Sequence, residues 1–138
     1  GICLEQFLRR VNQKINNYME HFFPDASLQM ELCTEKETKS GKIKNEICVL
    51  LTQNHHQTEL KHLSGGEYDR CSLAFMLAID ELSHSPFLFL DESISSLYLS
   101  LSEDVLEIIK EKQTELKKTV LLISHQANTG FFDHVIRI

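Results

Sequence analysis

Two short apolar runs constrain this chain more than anything else in it: Phe87-Leu88-Phe89-Leu90 and Val120-Leu121-Leu122-Ile123. Both are too short for a buried helix and suit strands covered on two faces, as in a parallel sheet. Between them, Ser100 to Lys118 carries Val105, Ile108, Ile109 and Leu116 on one helical side. Ser100-x-x-Glu103 has the spacing to cap that helix, and Lys117-Lys118 suits its negative end. Strand, helix, strand in this order implies a right-handed parallel crossover and an α/β fold. After a short turn or helix, Val135 to Ile138 reads as a final strand.

Upstream the period changes. Leu4, Leu8, Val11, Ile15, Tyr18 and Phe22 recur at spacings of 4, 3, 4, 3 and 4, an a/d seam ended by Pro24-Asp25. That seam fits either the end of a coiled coil or a helix packed on its own core. Leu28, Met30 and Leu32 alternate with Gln29 and Glu31, which predicts a half-buried strand. Ile47 to Leu51 reads as its hairpin partner, with Ser40-Gly41 as the turn. Asn54 to Gln57 makes another turn, and Thr58 to Leu60 adds a short strand. Lys36, Lys39, Lys42 and Lys44 sit around the hairpin turn with Glu35, Glu37 and Glu46, as on a solvated tip. Glu67 to Leu82 is a helix with Leu73, Met76 and Leu77 on one face, and Ser64-x-x-Glu67 has capping-box spacing.

Composition narrows the classes. In 138 residues, 14 basic and 20 acidic side chains give a formal charge of −6, so a whole-surface attraction to nucleic acid is not expected. No apolar run approaches the roughly 20 residues of a membrane span. Residues 1–23 are polar at every turn and lack a small-residue cleavage site. Starting on Gly1 rather than Met suits a fragment of a longer protein. Cys3, Cys33, Cys48 and Cys71 are widely spaced with no CxxC pair, as expected of reduced thiols in an intracellular protein. His55, His56 and His62 lack a Cys pair or an HExxH helix and read as a polar turn rather than a zinc site.

Three segments can carry chemistry. In Leu63-Ser64-Gly65-Gly66-Glu67, two glycines at a helix start let a ligand approach the backbone and leave N–H groups unpaired. A serine hydroxyl and the positive helix end complete an anion site. In Phe-Leu-Phe-Leu-Asp91-Glu92, two acids emerge at the C-terminal end of a strand, where α/β sites lie. Asp91 would hold hydrated Mg²⁺, and Glu92 would orient and deprotonate an attacking water. In Val-Leu-Leu-Ile-Ser124-His125, the histidine just past a strand could reach a γ-phosphate.

The order and spacing of these segments resemble the C-terminal lobe of an ABC-class ATPase. LSGGE looks like the signature motif, FLFLDE like Walker B and His125 like the switch histidine. Preceded by a seam helix and a hairpin rather than a helical subdomain, the segments are most similar to the C-terminal head segment of the SMC and Rad/SbcC family. That family comprises chromosome-maintenance and double-strand-break repair ATPases. LSGGEYDR, FFPD and the terminal DHVIRI look closest to the repair branch.

The resemblance implies a P-loop NTPase-like parallel sheet with flanking helices. Residues 1–23 would end a coiled coil, 24–62 would form the hairpin region, and 63–138 would be the C-terminal lobe. It implies ATP and Mg²⁺ as ligands, an N-terminal lobe of the same head, a second head, DNA and a nuclease subunit as partners, and no membrane. Ser64, Gly65, Gly66 and Glu67 would meet the nucleotide held by the opposing head. Asp91, Glu92 and His125 would serve the ATP of their own head. No GxxxxGK[ST] is present, so the P-loop would come from the N-terminal lobe and the chain alone would hydrolyse nothing. Tyr98 stands where the family places a D-loop aspartate, which puts tight coupling of two sites in doubt. The alternatives are an ABC transporter ATPase lobe and a non-hydrolysing, DNA-bound scaffold.

Overall fold

The computed structural model describes residues 2–39, 42–91, 99–123 and 133–134, with side chains for 4–34, 47–90, 103–122 and 133–134. It divides into two compact units, Gly1–Leu82 and Ser83–Ile138.

The first unit is built on α1 (Ile2–Phe22), which packs against α2 (Gly65–Leu82) and β1 (Leu28–Lys39). Leu8, Val11, Ile15, Tyr18 and Phe22 of the seam are all buried within the unit. β1 pairs antiparallel with β2 (Lys42–Gln53), from Leu28↔Gln53 to Lys39↔Lys42. The hairpin is therefore much longer than its apolar stretch. Beyond Leu32 the β1 sequence runs Cys-Thr-Glu-Lys-Glu-Thr-Lys, which offers little apolar surface, and the strands continue to pair through their backbones.

Asn54 and His55 both adopt left-handed backbone, with φ of 49° and 69°. That makes a two-residue reversal in which Gln53 pairs directly with His56. The expected four-residue turn is thus shorter, and β3 is His56–Thr58. The open edge of β1 is covered in part by Asn12, whose side-chain amide donates to the Leu32 carbonyl at 2.9 Å and accepts from the Leu32 N–H at 2.8 Å. A side chain there does the work of a neighbouring strand.

α2 starts two residues earlier than expected. Its buried face is Cys71, Leu73, Ala74, Leu77 and Ala78, while Met76 points outward and is 38% exposed. The alanines let the helix axis approach α1 closely, which sequence periodicity alone did not weigh.

The second unit contains β4 (Phe87–Asp91), α3 (Leu99–Leu116) and β5 (Thr119–Ile123). β4 and β5 pair in parallel, Phe87↔Thr119 through Asp91↔Ile123, as the crossover predicts. Leu90, Val105, Leu106 and Ile109 are buried. The two-face burial expected of these strands is not seen: Phe87, Phe89 and Leu121 are exposed. α3 begins at Leu99, which puts Ser100 inside its first turn rather than at the cap. Its end is closed by Lys117 in left-handed backbone (φ 54°), with the Lys118 N–H reaching the Gln113 carbonyl at 3.1 Å. The expected strand at 135–138 and the hairpin turn Ser40-Gly41 lie outside the described residues. Among the described residues no helix is long and apolar enough to cross a membrane.

Candidate nucleotide site

The start of α2 is held by a complete capping box. Ser64 Oγ accepts from the Glu67 N–H at 3.2 Å, and Glu67 Oε1 accepts from the Ser64 N–H at 2.9 Å. The Tyr68 N–H closes the first helical bond to the Ser64 carbonyl at 2.9 Å. Capping consumes the Glu67 donor and leaves the N–H groups of Gly65 and Gly66 at the open helix end. Accepting one bond leaves the Ser64 hydroxyl hydrogen to donate outward. A methyl group built on Gly65 would meet no atom within 4 Å, so nothing inside the described structure requires glycine there.

Two further contacts brace this start. Gln53 Nε2 of β2 donates to Glu67 Oε2 at 3.0 Å, so both Glu67 oxygens are engaged. Arg70 donates through Nε to the Gly66 carbonyl at 3.3 Å and through Nη1 to the Phe22 carbonyl at 3.1 Å. Sequence reasoning missed Gln53, whose role depends on a tertiary approach of β2. Arg70 was visible only as part of LSGGEYDR, although its position one turn after Gly66 could have signalled the bond to Gly66.

One turn further on, burial pushes the Cys71 thiol up to about 12, with Arg70 pulling it down and Glu67 pushing it up more weakly. It is an inert, neutral core group rather than a nucleophile.

In the second unit, Asp91 is the last residue of β4 and pairs with Ile123, the last residue of β5. The C-terminal ends of β4 and β5 therefore lie side by side, and Glu92 and Ser124-His125 follow them in sequence. Glu92, Tyr98 and His125 lie outside the described residues, as does the Asp91 side chain. Ser64, Gly65, Gly66 and Glu67 belong to the first unit and Asp91 to the second. Among the described residues no group of three His, Cys, Asp or Glu side chains could hold a metal ion.

No protein-family model matches the chain. Over 133 residues it is 31% identical to uncharacterized protein 094L of Invertebrate iridescent virus 3, covering 93% of this chain and 15% of that protein. It is 29% identical over 128 residues to the methionine import ATP-binding protein MetN of Vibrio vulnificus, covering 86% and 36%. It is 27% identical over 125 residues to the "Probable DNA double-strand break repair Rad50 ATPase" of Aquifex aeolicus, covering 88% and 12%. The chain thus spans well under half the length of these relatives.

Among solved structures, it aligns with an SMC ATPase from work on ATP-driven dimerization and DNA-stimulated activation. The TM-score is 0.69 at 18% identity, covering 91% of this chain and 73% of that one. An Smc head bound to the C-winged helix domain of ScpA also gives 0.69, at 19% identity over 89% and 36%. The chain therefore has the fold of an SMC-type ATPase head and shares sequence with the Rad50 and ABC-class ATPases.

Proposed function

We propose that this chain is the C-terminal half of an SMC- or SbcC-like ATPase head. Joined to an N-terminal lobe that carries the P-loop, it binds and hydrolyses ATP to drive dimerisation of two heads on DNA. The observation that carries this reading is the α2 start: a braced serine, two outward N–H groups and a glycine with open space before it. That arrangement suits an oxyanion delivered from outside the chain.

Ser64, Gly65 and Gly66 then contact the γ-phosphate held by the opposing head. Glu67 fixes Ser64 and the helix start instead of touching phosphate, because its own charge would repel an anion and its oxygens are already engaged. At the ends of β4 and β5, Glu92 takes the proton of the attacking water and His125 contacts the γ-phosphate. Asp91, beside Glu92, is a donor fit for a hard cation that keeps most of its waters. With ATP bound, Mg²⁺ supplies neutralisation of phosphate charge there.

The exposed Phe87, Phe89 and Leu121 support a missing covering layer, which we assign to the N-terminal lobe. α1 is the element that would pass head movement to a coiled coil. A winged-helix subunit or a nuclease subunit is the class of further partner, in keeping with the ScpA-bound Smc head. The similarity to MetN favours a second reading, an ABC transporter lobe. The long β1–β2 hairpin and the SMC structural neighbours favour the first.

The test uses the full-length protein with ATP and Mg²⁺, with and without DNA, read by light scattering and phosphate release. Glu92→Gln keeps ATP binding, stalls hydrolysis and accumulates head dimers. Ser64→Arg blocks dimerisation by steric and charge conflict at the γ-phosphate. ATP-driven dimers of the Ser64→Arg protein would remove the signature assignment, and normal turnover by Glu92→Gln would remove Glu92 as the base.

A further inference from the structure

Cys33 of β1 and Cys48 of β2 stand directly opposite each other in the hairpin. Neither cysteine is in a disulfide, both are half-buried, and their Sγ atoms lie 2.9 Å apart. Each Sγ also faces the partner's carbonyl, at 3.8 Å from Cys33 to Cys48 and 3.5 Å in the other direction. The backbone N–H and C=O of Leu32 turn outward to Asn12, so the next pair, Cys33 and Cys48, is the one that exchanges bonds between the strands. Such pairs have Cα atoms about 5.5 Å apart, inside the window a disulfide requires. A bond of about 2.05 Å needs an approach of only about 0.9 Å from the present contact. Cys33 also borders an open groove of about 650 Å³ between α1 and β1, lined by Glu5, Arg9 and Asn12 among others.

We propose that Cys33 and Cys48 form a cross-strand dithiol that reacts with low-molecular-weight disulfides of the glutathione class and closes to an intramolecular disulfide. One cysteine, as thiolate, attacks a sulfur of glutathione disulfide. A protein–glutathione S–S bond forms and one glutathione thiolate leaves. The second cysteine, as thiolate, attacks the protein sulfur of that mixed disulfide. The Cys33–Cys48 bond forms and a second glutathione thiolate leaves. The two cysteine protons end on the two glutathiones, so two protein thiols are oxidised and one disulfide is reduced. The product pins the register of the polar half of the hairpin, where few apolar side chains oppose slippage. Neither Ser64 nor the ends of β4 and β5 take part, so the site stands apart from the nucleotide chemistry. Cys71, buried in α2 with its thiol neutral, serves as an internal unreactive control.

The test exposes the full-length native protein to glutathione buffers of graded oxidation, traps remaining thiols with N-ethylmaleimide, and maps tryptic peptides by mass. The expected product links the peptides 15–36 and 45–61, with a loss of about 2 Da and Cys71 left alkylatable only after unfolding. Closure should be at least about tenfold faster in the native protein than in the urea-unfolded one, because the fold holds the sulfurs together. Cys33→Ser should stop at a stable glutathione adduct on Cys48. Recovery of the two peptides unlinked at every poise, or equal rates of closure in native and unfolded protein, would overturn the proposal.

Discussion

The Arg70 guanidinium lies over the Phe23 ring, 4.4 Å from its centroid, while its Nη1 donates to the neighbouring Phe22 carbonyl. A single side chain thus joins the glycine-bearing start of α2 to the negative end of α1. Arg70→Ala should destabilise the protein by about 2 kcal/mol, combining a lost cation–π contact with a carbonyl left short of a donor. Arg70→Lys should recover only part of that, since an ammonium cannot span both carbonyls and the ring. Urea unfolding of the three proteins gives the ordering.

The capping box predicts a non-additive pair. Ser64→Ala and Glu67→Ala should each cost about 1 kcal/mol, because each strips a helix-start donor of its acceptor. The double variant should cost clearly less than the sum, since each bond fixes the helix start on which the other is made. Strict additivity in urea titrations would mean that the two bonds act independently.

Between the helices, Glu81 is only 7% exposed at its side chain and accepts from Tyr18 Oη at 3.0 Å and from Lys14 Nζ at 3.0 Å. Tyr18 is itself buried. Glu81→Ala should therefore cost more than Lys14→Ala, by about 1 kcal/mol or more, because it removes both contacts, one of them to a buried tyrosine, whereas Lys14→Ala removes one contact from a partly solvated ammonium. Thermal unfolding of the two single variants checks the order.

How much of this was legible beforehand depended on whether the signal was local. The capping box, the parallel β4–β5 pair and the hairpin follow from spacing and alternation within short windows. The hairpin's full length does not, because residues 34–39 and 42–46 are polar apart from Ile43, and the strands pair there through their backbones. The exposure of Phe87 and Phe89 was misread for a different reason: an apolar run reports what a strand needs covered, not which part of a protein covers it. Gln53 and Arg70 reach their partners only after α1, β2 and α2 have docked, and Arg70 and Phe22 are 48 residues apart. The residues that the family resemblance made most specific, Glu92 and His125, fall outside the described structure. The described structure shows only that β4 and β5, which precede them in sequence, end side by side.

Cys71 makes stability fall at alkaline pH. Burial raises its pKa from 9.0 to about 12, so the folded state keeps a proton that the unfolded state releases. The contribution is fully present below about pH 9 and is lost as pH rises toward 12, at a limiting slope of about 1.4 kcal/mol per pH unit. Lysines and tyrosines titrate in the same range, so the quantity to measure is the difference between wild type and Cys71→Ala. That difference, from urea midpoints at pH 8, 9 and 10, should be flat at first and then shrink. A constant difference would mean that the thiol is not desolvated.

The exposed face of the second unit gives a direct test of the proposed covering lobe. Phe87, Phe89 and Leu121 are 53%, 66% and 50% exposed, on one side of the β4–β5 pair. The two rings lie 6.5 Å apart and form a continuous aromatic ledge. Covering a ring removes roughly 150 Å² or more from water, worth about 3 kcal/mol or more at the usual rate per area. Because Phe89 is so open in this chain, Phe89→Ser should change the chain's own stability by less than about 0.5 kcal/mol. The same change should weaken binding of a separately produced N-terminal lobe by about tenfold or more, as even half of that burial exceeds 1.4 kcal/mol. Calorimetric titration of the lobe into wild type and variant separates the two effects. Unchanged affinity with unchanged stability would place the lobe on another surface.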